Sequence, residues 1–234
     1  MLKGATMEKL IIVGTGTNGR HVYEFVKMYK LFDIIGFAVD EKYITEKSFK
    51  GLPVYPLEKL SDYVNKNEVK LFVALLWNHL NGDRKYLFER LRSEGYSFAN
   101  IISPTAIIRG EIKGSNVWVH DNVIIQNDTV IEDNVAIMAM TLIGADSHVY
   151  SHCFFGAKSL LGGGSIVGEQ TFVGINCIIF DGTIVGKKCI LGACTAVKRN
   201  VPDFSLYKTS SDMVIKQYGE EEIENKLIYS LNKR

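Results

Sequence analysis

A glycine-rich stretch, one aspartate and three late histidines carry most of the chemistry that this sequence can offer. The run Gly14-Thr-Gly16-Thr-Asn18-Gly19 has the GxGxxG spacing. Glycines so spaced allow a tight turn and let backbone amides approach a phosphate at a helix N-terminus. Asp40 lies 21 residues beyond Gly19, where a carboxylate can receive ribose hydroxyls. His120, His148 and His152, with Asp146 among them, bring imidazole and carboxylate groups of the kind that move protons near neutral pH. The four cysteines, Cys153, Cys177, Cys189 and Cys194, form no C-x-x-C pair and precede no histidines at zinc-ligand spacing. Neither a metal site nor a disulfide framework is expected, and packing is their simplest role.

These groups need elements to hold them. Lys9 to Val13 reads as a short apolar strand, and Arg20 to Tyr29 as a helix. A second strand, Ile34 to Val39, delivers Asp40. A third, Leu71 to Leu76, ends at Trp77 and Asn78, before a helix from Asp83 to Ser93. Strand, glycine loop and helix in that order form a Rossmann-like α/β unit. At roughly 95 residues it is half of a doubly wound fold, and no hydride-acceptor domain follows it. NAD and a nucleotide-sugar are the two ligands that the loop suits.

The second half obeys a different rule. From Val119 to Val197 every sixth residue is aliphatic or Phe, including Ile125, Ile131, Phe155, Val173 and Leu191. A second rank four residues later is small or β-branched, as at Thr129, Cys153, Ser165 and Cys189, and glycine often follows the first rank, as at Gly144, Gly156 and Gly174. A helix repeats every 3.6 residues and a strand every two, so a period of six requires a short strand plus a corner. Three hexads make a triangular coil of 18 residues, and stacked coils make three parallel sheets. Glycine is expected where the chain bends.

This segment, Ile107 to about Val201, resembles the hexapeptide-repeat left-handed β-helix acyltransferases. The run from Val173 to Val197 is similar to the closing coils of nucleotide-sugar N-acetyltransferases and sialic-acid O-acetyltransferases. With the α/β N-terminal Rossmann-like half domain (1–102) read above, the resemblance implies a left-handed parallel β-helix (103–201). In the tail (202–234), Ile223, Leu227 and Leu231 at spacing four, with acidic residues first and basic ones last, mark a short C-terminal helix from Tyr218 to Lys233. The resemblance also implies a homotrimer with acetyl-CoA in the groove between neighbouring β-helices. Gly174, Ile175, Gly192 and Ala193 would flank the pantetheine arm, and Lys198 and Arg199 would meet its phosphates. It favours nucleotide-sugar over NAD, with Gly14, Gly16, Asn18, Gly19, Asp40 and Asn78 on that substrate.

One departure matters. The resembled families carry a catalytic histidine two residues after a first-rank position, and here that residue is Ala145. His148, with Asp146 as a base or orienting group, is the substitute that the sequence offers. An amine acceptor needs less help: with a pKa of about 8, roughly a tenth is free base at pH 7. A lost general base costs about 10²–10⁴-fold, tolerable for an amine and severe for a hydroxyl. The expected activity is therefore acetyl-CoA-dependent N-acetylation of a nucleotide-linked amino sugar in surface glycan biosynthesis. O-acetylation and a non-catalytic nucleotide-sugar-binding trimer are the alternatives.

Bulk properties agree. The 234 residues are 47% hydrophobic and 23% charged, which suits a globular chain, and the net charge of +1 offers nothing to nucleic acid. No apolar run spans a membrane and no signal-peptide layout opens the chain, so a cytoplasmic location is expected.

Overall fold

The computed structural model describes residues 7–208. The expected terminal helix and the stretch from Thr209 to Asp212 lie outside them. The N-terminal region contains β1 (Lys9–Val13), α1 (Thr17–Tyr29), β2 (Asp33–Val39), β3 (Ser48–Phe49), β4 (Leu52–Pro56), β5 (Val69–Val73), α2 (Gly82–Ser93) and β6 (Ser97–Phe98). Its sheet order is β3-β4-β2-β1-β5-β6, parallel except for the β3–β4 pair. β1 is buried on both faces. Leu10 and Ile12 join the cluster under α1, with Val22 and Phe25, while Ile11 and Val13 join Phe88 and Leu91 of α2. β4 escapes the sequence patterns because Pro53 and Pro56 interrupt it. Such residues usually mark an edge, and here a two-residue antiparallel strand shields that edge.

Two-residue strands then recur every six residues from Trp118–Val119 to Ala136–Ile137 and on to Ala196–Val197. Partners lie 18 residues apart, as in Ile137↔Phe155 and Phe155↔Val173. The strands form three parallel sheets, the faces of a triangular prism. The first face carries Trp118, Ala136, Phe154 and Phe172, the second Ile124, Leu142, Leu160 and Ile178, and the third Val130, His148, Ile166 and Ile184. First-rank residues from Val119 to Val197 line the interior and are buried, with Cys153, Cys177 and Cys189 beside them. The six-residue reading is thus borne out.

Two details differ from the sequence reading. The stack already begins at Ile101–Ile102, and it runs past Pro202 to Leu206–Tyr207, which pairs with Ile190–Leu191. The second concerns the corners. Every sixth residue from Asn116 to Cys194 has left-handed φ, yet these are mostly Asn, Asp, Lys or other side chains, with glycine only at Gly164 and Gly182. Asn and Asp tolerate that region best among non-glycine residues. The glycines following the first rank serve close approach instead. A Cβ on Gly156 would lie 2.6 Å from Ile175 N, and one on Gly174 2.5 Å from Ala193 N, in the next coil.

The N-terminal unit docks on the first face. Trp118, Ala136 and Phe154 share one core cluster with Phe25 and Val26 of α1. A buried polar chain runs down the adjoining corner. The Val73 amide donates to Asn116 Oδ1 (2.7 Å), Asn116 Nδ2 to Asn134 Oδ1 (2.8 Å), and Asn134 Nδ2 to His152 Nδ1 (2.9 Å). Buried Arg84 of α2 donates to the carbonyls of Cys153 (2.9 Å) and His152 (3.3 Å).

Candidate active site

The corner between the first and second faces holds the positions expected to take the cofactor. Gly156-Ala157, Gly174-Ile175 and Gly192-Ala193 stack there, coil upon coil. At the other two corners, side chains cap some amides of this kind, while those of Asn127, Asp133, Glu169 and Asp181 have no described acceptor. Ala145 N donates to Gln126 Oε1 (3.0 Å), Gly163 N to Asp181 Oδ1 (2.8 Å), and Ser151 N to Glu132 Oε2 (3.1 Å). No described group accepts from the amides of Ala157, Ile175 or Ala193. A row of open donors remains, suited to the carbonyls of an extended amide-bearing arm.

Beside this row lies a cavity of about 350 Å³, walled by Trp77, Met138, Phe154, Phe172 and Ile175, with His120 in its lining. Trp77 comes from the loop after β5, where His79, Leu80 and Asn81 all have positive φ. Three such residues in succession hold strain that the packing around them must sustain. Trp77 sits edge-on to Phe154, with ring centroids 5.2 Å apart. Asn78 follows it, exposed.

The glycine loop forms a second centre. Gly14 has φ +123° and its amide donates to Ala38 O (2.9 Å). Gly16 precedes the first residue of α1, no side chain caps that helix start, and a Cβ added to Gly16 would meet nothing within 4 Å. At Gly19 a Cβ would stand 2.1 Å from Gly14 O, so only glycine lets α1 close onto the turn. Asn18 lies in the first turn of α1. Asp40 borders an apolar cavity of about 110 Å³ with Gly14, Leu57 and Leu87. A more polar one, about 210 Å³, opens past Thr15 toward Tyr43 and Ser48. Arg90 Nη1 donates to Asp40 Oδ1 (2.9 Å), a partner the sequence reading missed because it lies 50 residues away on α2.

The expected base residues stand elsewhere in the chain. Asp146 occupies a left-handed corner position between the second and third faces, exposed, next to Ala145. His148 projects from the third face, where Nε2 meets Glu132 Oε1 (2.8 Å) and the ring stacks on Tyr150 (4.2 Å, 9°). Lys198 lies over the Phe180 ring at 5.5 Å, at the same corner as Ala145. Within one chain, none of the three approaches the corner of Gly174 and Ala193. His152 is buried at the domain junction, and burial first, then the Lys85 charge, lower its pKa to about 4. It is a neutral packing histidine. Among the described residues no group of His, Cys, Asp and Glu is placed to hold a metal.

A glycine-loop α/β unit set on a prism of parallel two-residue strands defines a class, the hexapeptide-repeat left-handed β-helix proteins. Residues 9–91 match the family model described as the PglD N-terminal domain. Beyond that class, the chain is similar to the acetyltransferases represented by PglD, PglB and the perosamine N-acetyltransferases. PerB from Caulobacter crescentus, solved in complex with CoA and GDP-perosamine, is 26% identical, with a TM-score of 0.74 over 86% of this chain and 95% of that one. The acetyltransferase domain of PglB from Neisseria gonorrhoeae shares the fold at 22% identity and TM-score 0.75, over 85% and 95% of the two chains. WeeI from Acinetobacter baumannii shares it at 16% and 0.73, over 84% and 94%. No curated protein matches the chain.

Proposed function

We propose that this protein transfers the acetyl group of acetyl-CoA to the amine of a nucleotide-linked amino sugar. The observation that carries this reading is the cavity at the first corner. It joins the Trp77–Asn78 loop of the nucleotide-type unit to the open amides of Ala157 and Ile175. The pantetheine arm runs along Gly174, Ile175, Gly192 and Ala193. The nucleotide diphosphate rests on Gly14, Gly16, Asn18 and Gly19, with a ribose hydroxyl on Asp40 and the sugar reaching Asn78. The bound CoA and GDP-perosamine named for PerB support this pairing of ligands.

The amine nitrogen attacks the thioester carbonyl carbon, the C–N bond forms and the C–S bond breaks. The proton shed by the nitrogen leaves with the thiolate as CoA thiol. Ala145 supplies no imidazole, which favours an amine acceptor over a hydroxyl. The assembly is a homotrimer. Ile107, Leu160 and Ile178 leave an exposed apolar stripe on the second face, and a neighbouring copy covers it, bringing Lys198 of one chain toward the cofactor corner of the next. Both proposed substrates are cytoplasmic metabolites, and the described residues contain no helix long and apolar enough to cross a membrane.

Release of CoA thiol against a panel of nucleotide-linked sugars tests this, each amino sugar paired with its hydroxyl counterpart. Release with an amino sugar alone is expected. Ala145 also favours a second reading, a trimer that binds without catalysis. Silence across the panel, together with no acetyl-CoA binding by calorimetry, would establish it instead.

A further inference from the structure

We propose that His120 donates a hydrogen bond from Nε2 to the carbonyl oxygen of the acyl thioester, the atom that gains negative charge as the amine attacks. This deepens the reading above and rests on it. The cavity is walled mostly by hydrocarbon, and only His120 and Trp77 bring side-chain polar atoms to it. In such surroundings a single aimed donor is worth far more than in water.

The position of the ring proton follows from local bonding. The Asp121 amide donates to His120 Nδ1 at 2.8 Å. That nitrogen therefore offers its lone pair, and the proton of the neutral ring sits on Nε2. No described protein group bonds to Nε2. The ring is held by packing, with centroids 4.8 Å from Phe25 and 5.6 Å from Trp118. The Asp121 carboxylate is occupied elsewhere: Ser103 Oγ donates to Oδ1 at 2.5 Å and Tyr29 Oη at 2.9 Å, while Oδ2 stays 3.4 Å from Nδ1.

The competing donor is the Ala139 amide in the cavity wall, which has no described acceptor. At the corner of Ala145, the Ala145 and Gly163 amides already donate to Gln126 and Asp181. The open amides of Ala157 and Ile175 serve the pantetheine arm in the reading above. Charge state agrees with the geometry. Burial lowers the His120 pKa, His21 on α1 adds to the lowering, and Asp121 opposes it, so the ring is neutral at pH 7.

Two variants test the assignment. His120→Phe keeps an aromatic ring against Phe25 and Trp118 and removes the donor. His120→Gln places an amide N–H near the ε position and does not titrate. The Phe variant should lose about 10²-fold in kcat, with acetyl-CoA affinity unchanged and only the small loss of melting temperature that an unpaired Asp121 amide brings, while Gln recovers most of the rate. The pH profile adds a readout that packing would not move. In the wild type, log kcat falls with unit slope as the amine protonates, then falls less steeply below the His120 titration, because the imidazolium keeps its Nε2 proton and adds a positive charge facing the oxyanion. In the Gln variant it keeps unit slope.

A Phe variant that turns over like the wild type overturns the assignment. So does a Phe variant that loses acetyl-CoA binding and thermal stability while Gln recovers nothing, because the ring is then only packing. Wild-type protein silent on every sugar and blind to acetyl-CoA removes the acetyltransfer reading itself, which separates the two failures.

Discussion

Gly16 and Gly19 sit three residues apart in one loop and do different work. Gly19→Ala drives a methyl into Gly14 O, so the turn must open and the N-terminal unit loses stability. Gly16→Ala meets no protein atom, and its φ of −73° suits any residue. Its expected outcome is an unchanged melting temperature with weakened nucleotide-sugar binding, measured by calorimetry, because the methyl stands where the phosphate would approach. Unchanged binding would move the phosphate elsewhere. The His152 pKa lies below its unfolded value of 6.5, near 4. The unfolded chain therefore binds the extra proton first, and the contribution of this residue is complete above pH 6.5 and lost as pH falls toward 4. His152→Asn, which titrates nothing, should flatten the loss of melting temperature over that window. At this scale the sequence shows residue types and spacings along the chain and little else. It displays GxGxxG plainly. It hides the setting of His120, whose ring packs on distant Phe25 and whose neighbour Asp121 is held by Tyr29 and Ser103, and it hides the Glu132 that occupies His148.

Elements were more legible than residues, since a strand-and-corner repeat writes its period directly into the chain. Each coil places three apolar residues inside and stacks them on the next three. Phe155→Ala, in the middle of the stack, should cost about 3–5 kcal/mol through lost burial and the cavity left behind. Chemical denaturation would read this as a lower midpoint. The corners were less legible, because φ leaves no periodic mark when Asn, Lys, Met and His all occupy the same left-handed position. That conformation permits a clean test of Asp146. Gly164 holds the equivalent place one coil below, so Asp146→Gly should fold normally. If turnover is also unchanged, Asp146 plays no part in proton transfer. A loss of turnover without a loss of stability would restore it to the site. β4 shows the opposite failure: Pro53 and Pro56 conceal a strand that only its neighbours reveal.

At the scale of the whole molecule, the two units meet along one face, and the asparagine chain from Val73 to His152 ties them. The second face, left apolar, is the proposed contact between copies. Leu160→Lys with Ile178→Lys places two cations in that stripe. Light scattering should find the variant as a monomer, and acetyl transfer should be lost with the groove. A variant that stays trimeric would place the contact on another face. The described cysteines also bear on how this protein is measured. Cys153, Cys177 and Cys189 are sealed inside the prism, whereas Cys194 is exposed at the corner proposed to take the cofactor, beside Ala193. A disulfide reagent that counts liberated CoA will therefore also count one protein thiol per chain. That background becomes useful once recognised. A maleimide fluorophore would attach at this single position without mutagenesis, and acetyl-CoA occupying the groove should slow its attachment.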